Sequence, residues 1–578
     1  MVIALAVALR VMRINISDLS VAWSQGDLLS LYATAKSMIQ NGWYTPNPYL
    51  GYPFVQDHTH FPLPDIFPLI QIKFWTLLTG NPFAGVNLLY LSGFPAVAGL
   101  TFALFRWLRM NRWIAVLLAI SFAVLPWHFF RLGHTFFATY TALPIGLFAI
   151  SVIASGRLDR SDGGRRWPLL ALTIAATIIV GASGVYYALF MILLLAVVLV
   201  TQLITSRSLI ASWRSLLVAA IMPVTVFVIL LSIKLTSVTA ADGTTVVRKI
   251  QQSVRFGGSI STLFTIGGGS RLGQNPFNSR LLKLAQHLGG EGLAQNNAVG
   301  VVAVTFTLVL ALVVLAVTGR LPAWLRTIRK KASYWPALMV FAVLTFASAG
   351  LGAVFSAEVS AQIRGWGRMS IVIILVSLVT LGLAATPVLG RFRSKRAWLP
   401  PLIILPILAI CLVDASTMKY RLDTVPGHAQ AASMQAYMAQ GVSQLGTDCA
   451  VLELPAAVYP EQGPILKMLD YNQLWPYLYS DGWKFSYGAL RGTAEGNWAK
   501  TLSSSAPIKI KQAKAAGFCA IQISRSGFAD PDSVVAEYRK LLGPPAASAA
   551  NEWDLFSLAA VDPSPYTRSD VLEPVRAR

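Results

Sequence analysis

Long apolar stretches alternate with short polar ones as far as about residue 414, after which the pattern changes. Apolar runs fall near 1–14, 85–105, 112–127, 137–155, 168–186, 188–205, 215–234, 299–318, 336–355, 368–389 and 398–414. Most approach the ~20 residues an α-helix needs to cross a bilayer core, so the pattern predicts about 11 transmembrane helices. The first run is short for a span, and its Arg10 and Arg13 fall toward the side that the topology below makes external. One more apolar segment, DIFPLIQIKFWTLLTG at 65–80, would break the alternation if it crossed. With Lys73 and Trp75 it reads as a helix lying in the interface. So does an amphipathic helix beginning at Asp27, with Leu28, Leu31, Tyr32, Ala35, Met38 and Ile39 on one stripe.

Beyond residue 414 the apolar runs shorten. CAVLELP, FCAIQIS and EWDLFSLA read as strands, while IKIKQAKAAG and PDSVVAEYRKLLG read as helices. A mainly α, polytopic membrane domain over 1–414 is therefore expected, followed by a small α/β domain over 415–578.

The 578 residues carry a net charge of +22, which taken alone points toward nucleic acid. Its distribution argues against that partner. Arg106, Arg109 and Arg112 cluster in one short loop, and Arg157, Arg160, Arg165 and Arg166 in a second. Arg320, Arg326, Arg329, Lys330 and Lys331 form a third cluster, and Arg391, Arg393, Lys395 and Arg396 a fourth. Basic residues in short loops between spans mark the cytoplasmic side and face anionic lipid. The N-terminus is then cytoplasmic. Loops 15–84, 127–136, 235–298 and 356–367 face outward, as does the C-terminal domain, in a bacterial cytoplasmic (inner) membrane.

The candidate chemistry gathers on that outer face. Asp27 opens the helix of the first external loop, where helix capping is the plain alternative role. The loop continues with NPYLGYPF, carrying Tyr49 and Tyr52, and QDHTHFPLPD, carrying Asp57, His58, His60 and Asp65. Aromatic faces stack on apolar sugar faces while acids hold hydroxyls, so such a loop suits sugar binding. His128 and His134 bracket Arg131 in WHFFRLGHTF, which places four of the six histidines on one side. Their spacing admits a divalent cation but matches no tight metal template, and no cofactor is required. Glu291, in GGEGLAQNN of the long external loop 235–298, is a second acid or a helix cap. The glycines of TIGGGSRLGQNP lack the ending of a phosphate loop. Arg364 and Arg368, spaced i, i+4 before a span, predict two guanidiniums on one helical face; snorkelling interface arginines are the alternative. The dense aromatics of DYNQLWPYLYSDGWKFSYG form either a sugar-contacting surface or a face packed on the membrane domain. Cys449 and Cys519 open two strand-like segments and would pair if those strands are neighbours in an oxidising compartment.

GD ahead of an amphipathic helix, followed by NGWYTPNPYLGYPF and DHTHFPLPD, resembles bacterial polytopic membrane proteins of the GT-C glycosyltransferase type. LPWHFFRLGHTFFATYTALP, IRGWGRMSIVI and LELPAAVYPEQGPI carry the same resemblance across most of the chain. It implies a polyprenyl-phosphate-linked sugar donor and a glycan or lipid acceptor, with an essential acid in the first external loop; that role falls on Asp27. As general base, Asp27 would activate an acceptor hydroxyl, with inversion expected. The leaving phosphate needs positive charge, which Arg364, Arg368 and Arg131 would supply. Tyr49, Tyr52, Asp57, His58, His60, His128, His134 and Glu291 then line the substrates. The paired acids of a later external loop and the Trp-Trp-Asp motif of oligosaccharyltransferases are missing from the sequence, which favours a monophosphate-linked single sugar. A transporter or flippase of lipid-linked saccharide predicts charges within spans, where this chain has few. A non-catalytic envelope assembly protein is the third class, in which Asp27 would be inert.

Overall fold

In the computed structural model the chain is described over residues 1–58, 61, 63–160, 166–206, 213–236, 248–265, 274–287, 334–393, 398–416, 420–549 and 552–576. Among these residues six helices are long and apolar enough to cross a membrane: Pro82–Trp107, Arg112–Phe130, Leu132–Ala154, Val185–Ile204, Trp213–Leu235 and Trp366–Pro387. Shorter apolar helices occupy Val2–Met12, Ile66–Thr79, Trp167–Gly181, Ala337–Phe346 and Pro400–Ala415. The chain is a multi-pass membrane protein. The expected run 299–318 and the basic cluster around Arg326 lie outside the described residues.

The first elements follow from local chemistry. Helix α1 (Val2–Met12) leads through a short 3-10 turn, Ile16–Ser20, to α2 (Asp27–Asn41). Glycines bound α2, with Gly26 at φ 70 before it and Gly42 at φ 77 after it, conformations that a Cβ disfavours. Helix α3 (Ile66–Thr79) ends the same way at Gly80, and α4 (Pro82–Trp107) starts on Asn81, whose side chain accepts the Ala84 N–H. Within the stretch Arg112–Phe130 the regular helix α5 covers Arg112–Ala123 and is interrupted where Pro126 removes a donor and pushes Leu125 into extended backbone. The chain then passes through three short turns, Pro126–Phe130, Leu132–His134 and Thr135–Ala138, before resuming as Ala142–Ala154. These broken turns carry Arg131 and His134.

The apolar run 336–355 is not one helix. It divides into Trp335–Phe346 and Leu351–Glu358 across a turn with Ala349 at φ 58. That opening accepts another segment: the Gly258 N–H donates to Phe346 O at 2.7 Å, and the Ser348 N–H to Gly258 O at 2.9 Å. A Cβ at Gly258 would collide with the Phe346 ring, so glycine permits the approach. This pairing ties the segment that follows the helix Ile250–Arg255 to the turn between the two halves of the run.

The C-terminal sheet has the order β2-β1-β3-β5-β4, with β1 (Ala450–Leu454), β2 (Lys484–Phe485), β3 (Ala520–Ser524), β4 (Ala547–Ala549) and β5 (Trp553–Ser557). Strand β1 is parallel to β2 and β3, and β5 runs antiparallel to β3 and β4. Three strands and two helices, Ala506–Ala515 and Pro531–Leu542, stand where the apolar pattern predicts them. Strands β2 and β4 were not predicted, being only two and three residues long. The helix Val425–Leu445 was missed as well, because its apolar side chains are dispersed among Ala, Gln and Ser. Cys449 and Cys519, preceding β1 and β3, form a disulfide with Cα atoms 5.5 Å apart.

The aromatic stretch of the C-terminal region packs inward: Trp475, Tyr477, Trp483 and Tyr487 are buried. Its helix Leu474–Tyr479 lies on α2, so α2 is enclosed between membrane helices and the sheet-bearing region. Lys36, only 7% exposed, donates to the carbonyls of Tyr477 at 2.7 Å, Leu478 at 3.2 Å and Ser480, satisfying the C-terminal end of that helix. The NPYLGYPF loop extends the sheet beyond β2: Phe485 N–H donates to Tyr49 O, and Tyr52 N–H to Phe485 O, each at 2.9 Å. Tyr52 also sets its ring edge-on against Phe518. Tyr49 and Tyr52 thus join the first loop to the C-terminal region.

Candidate functional site

A buried polar network fixes the approach to Asp27. The Trp23 indole donates to Asp18 O at 2.7 Å, and the Tyr32 hydroxyl donates to Asn87 Oδ1 at 2.8 Å while accepting the Trp23 N–H at 3.1 Å. Asn87 in turn donates to Leu19 O at 2.9 Å and Val21 O at 3.0 Å. With both ends of the 18–32 segment tied to α4, the first turn of α2 has a defined position.

Asp27 is the first residue of α2, and the capping position belongs to Gly26. The capping role therefore does not account for Asp27. Its Oδ2 lies 3.2 Å from His134 Nε2 on the broken turn after Arg131. Both side chains remain reachable by water, at 49% and 43% exposure. Burial by the elements packed around it raises the Asp27 pKa, and repulsion from Glu461 and Asp470 raises it further. Arg368 opposes them, and the balance brings the carboxyl to about 6.

The arginines are positioned by aromatic faces. Arg368 lies over Phe137 at 3.9 Å and Tyr186 at 4.4 Å, and Arg131 over Trp127 at 4.6 Å. Arg364 precedes the 3-10 turn Trp366–Met369, so the two predicted arginines do not share a helical face. Glycines at 365 and 367 favour a turn over a helix at that point. The turn instead directs Arg364 toward Gln252 Oε1 at 3.0 Å and toward Glu461 Oε2 at 3.7 Å. The Tyr186 hydroxyl accepts the Arg364 and Gly365 N–H groups at 3.3 and 3.1 Å.

The C-terminal region closes the site. The Tyr459 hydroxyl is 2.6 Å from Ser30 Oγ, one turn along α2 from Asp27. Two residues later Glu461, at φ 55, takes a two-pronged contact from Arg248 at 2.5 and 2.8 Å. Burial pulls the Glu461 pKa up, but the Arg248 pair and the charges of Arg364 and Arg491 outweigh it and hold the carboxyl below its ordinary value. Asp470, which accepts the Gly463 and Tyr471 N–H groups, is pushed up chiefly by burial. Burial also pushes Asp65, preceding α3, up to about 7, with its own backbone and Arg368 opposing.

Asp27, His134, Arg131, Arg364 and Arg368 thus belong to one electrostatically connected cluster. His128 does not join it: it is fully buried, stacked on Phe94 at 3.5 Å between ring centres and edge-on to Tyr90 and Tyr140. His58 is buried between Tyr44 and Tyr459, and desolvation takes its pKa down to about 4, so it is neutral. Asp57 is buried beside it. His60 and Glu291 lie outside the described residues. Among the described residues, no group of three or more His, Cys, Asp or Glu side chains could hold a metal ion. Arg248 had no role in the sequence reading, and neither Glu461 nor Asp470 had a charge-pairing role there, whereas Asp65 was one of the acids of the sugar-binding first loop. The signals available for Glu461 and Arg248 were an acid in the turn-forming YPEQGP and an arginine in the first part of the long external loop.

No protein-family model matches the chain, and no curated protein matches it. Solved structures do. The arabinofuranosyltransferase AftD from Mycobacteria aligns over 97% of this chain and 39% of its own, with 13% identity and a TM-score of 0.50. The oligosaccharyltransferase AglB from Archaeoglobus fulgidus, solved with an inhibitory peptide and a dolichol-phosphate, aligns over 90% of this chain and 68% of its own, with 13% identity and a TM-score of 0.47. ArnT from Cupriavidus metallidurans aligns over 97% and 98%, with 13% identity and a TM-score of 0.39. The chain spans about two fifths of the length of AftD. The chain shares the fold of AftD.

Proposed function

We propose that this chain is a membrane glycosyltransferase of the GT-C type that moves a sugar from a polyprenyl-phosphate-linked donor to an acceptor hydroxyl at the outer face of the cytoplasmic membrane. The membrane part, 1–414, would hold the donor, and the region 415–578 would lie outside the membrane and complete the site. The observation that carries this reading is Asp27. It is a water-reachable carboxylate with a pKa near 6, opposite His134 and under the influence of Arg368. A base of that strength is mostly ionised at neutral pH yet still accepts a proton readily.

In the proposed reaction the Asp27 carboxylate takes the proton of the acceptor hydroxyl as its oxygen attacks the anomeric carbon. The bond from that carbon to the phosphate oxygen breaks, and its electron pair leaves with the phosphate. Attack from the face opposite the leaving group inverts the anomeric centre. Arg368 and Arg131, seated on aromatic rings, would face the leaving phosphate with charge already in place, which lowers the cost of developing negative charge there. His134 would hold the Asp27 carboxylate toward the acceptor. The lipid-facing helices supply the apolar surroundings that a polyprenyl chain requires.

The test is a transfer assay on the purified full-length protein with a panel of polyprenyl-phosphate sugars. One donor should give product, and Asp27→Asn should lower the rate about 10²–10⁴-fold, the usual contribution of a general base. Undiminished transfer by Asp27→Asn would remove Asp27 from the mechanism.

A further inference from the structure

Glu461 occupies a position built for an anion. Both its carboxylate oxygens are taken by Arg248, at 2.5 and 2.8 Å, and Arg364 stands 3.7 Å away. Arg491 Nη1 donates to the Glu461 carbonyl at 3.0 Å, so a third guanidinium borders the same residue. The three arginines come from three separate parts of the chain: the segment before Ile250–Arg255, the turn before the span at Trp366, and the C-terminal region. The side-chain carboxylate itself faces Arg248 and Arg364, while Arg491 meets only the backbone carbonyl. A guanidinium fork grips phosphate with the same two-point geometry it uses for carboxylate.

The carboxylate is not sealed in. Its side chain is 33% exposed, and its backbone sits in the left-handed region at φ 55 without the freedom of a glycine. Residues held in sparsely populated backbone conformations cluster where a segment has a second state available. Nearby Asp27 feels its charge, so the seat lies within electrostatic range of the proposed base.

We propose that Glu461 is a built-in competitor: its carboxylate fills the anion seat of Arg248 and Arg364, and a phosphate-bearing ligand takes the seat by displacing it. The two guanidiniums that a displaced Glu461 would leave match a phosphate monoester, which carries about −1.5 to −2 at neutral pH, better than a singly charged diester. The seat therefore favours the polyprenyl phosphate left after transfer over the incoming donor. Displacement would free the Tyr459–Glu461 turn from the arginines and couple the state of the C-terminal region to occupancy of the site. This inference rests on the reading that the substrate carries phosphate, but binding alone tests it, without turnover.

The experiment measures affinity of the full-length protein in detergent for undecaprenyl phosphate and, separately, for inorganic phosphate. Removing the competing charge with Glu461→Gln should tighten binding about ten- to a hundredfold, the value of charge-assisted hydrogen bonds no longer contested. Arg248→Gln should weaken it. A gain with undecaprenyl phosphate alone assigns the seat to a lipid phosphate, and a gain with both probes assigns it to any phosphate group. Unchanged or weaker binding of both probes by Glu461→Gln overturns the proposal. Hydrogen exchange on the wild type, which needs no variant to fold, gives an independent reading. Amides around 458–466 should exchange faster when undecaprenyl phosphate saturates the protein, and unchanged exchange would again overturn it. Because neither readout uses transfer, the competitor can fail while Asp27→Asn still abolishes activity, and the reverse.

Discussion

The pH dependence of transfer offers the sharpest test of the proposed base. Asp27 must be ionised to take a proton, and its carboxyl is brought to about 6 by burial first and by repulsion from Glu461 and Asp470 second. With that value about 90% of molecules are ionised at pH 7 and about 10% at pH 5, so kcat/KM should fall roughly tenfold between them. An unshifted aspartate would lose less than about 10% over the same interval. The sign is distinctive. Activity rises with pH through 6, whereas the Asp27 contribution to stability runs the other way. The folded chain binds this proton more tightly than the unfolded chain, so stability falls as pH climbs from about 4 to about 6. Initial rates from pH 5 to 8, at donor concentrations well below KM, give the profile directly. Glu461→Gln should move its inflection to lower pH, because one source of repulsion is gone. A profile flat down to pH 5 in the wild type would refute the argument that these neighbours tune Asp27.

Two structural predictions accompany it. Lys36→Met leaves the carbonyls of Tyr477, Leu478 and Ser480 without their buried donor and should cost about 2–4 kcal/mol in thermal or denaturant unfolding. Burial lowers the Lys36 pKa to about 8, so the unfolded chain binds more protons between about pH 8 and 10.5. Wild-type stability should therefore rise with pH across that window, and the rise should be missing in the variant. Replacing both Cys449 and Cys519 by Ser opens a cross-link between positions 70 residues apart and should destabilise the C-terminal region by up to about 4 kcal/mol; a change below about 1 kcal/mol would deny the disulfide that role.

The parts legible in the sequence are those with local causes. A run such as 215–234 announces a span because its length and apolarity are sufficient in themselves, and the observed helix is Trp213–Leu235. CAVLELP and FCAIQIS announce strands because both faces of β1 and β3 are buried, which requires unbroken apolar runs. Asp27 was visible as an acid opening a helix after Gly26. His134 and Arg131 were visible as polar residues in an aromatic turn, but nothing there distinguished them from His128, which the fold buries against Phe94. The i, i+4 reading of Arg364 and Arg368 failed because Gly365 and Gly367 lie in and beside a 3-10 turn.

By itself the sequence determined that the chain carries helices long and apolar enough to cross a membrane, where its C-terminal region turns to strands, and which acid begins the first long loop helix. These follow from lengths, periods and turn residues within windows of about twenty positions. Only the tertiary structure decided that NPYLGYPF extends a distant sheet, that α2 is enclosed from both sides, and that Glu461 meets Arg248 and Arg364 beside Asp27. Contacts between residues hundreds of positions apart leave no periodic mark on either segment, and they form only when burial of the intervening apolar surface brings the two segments together.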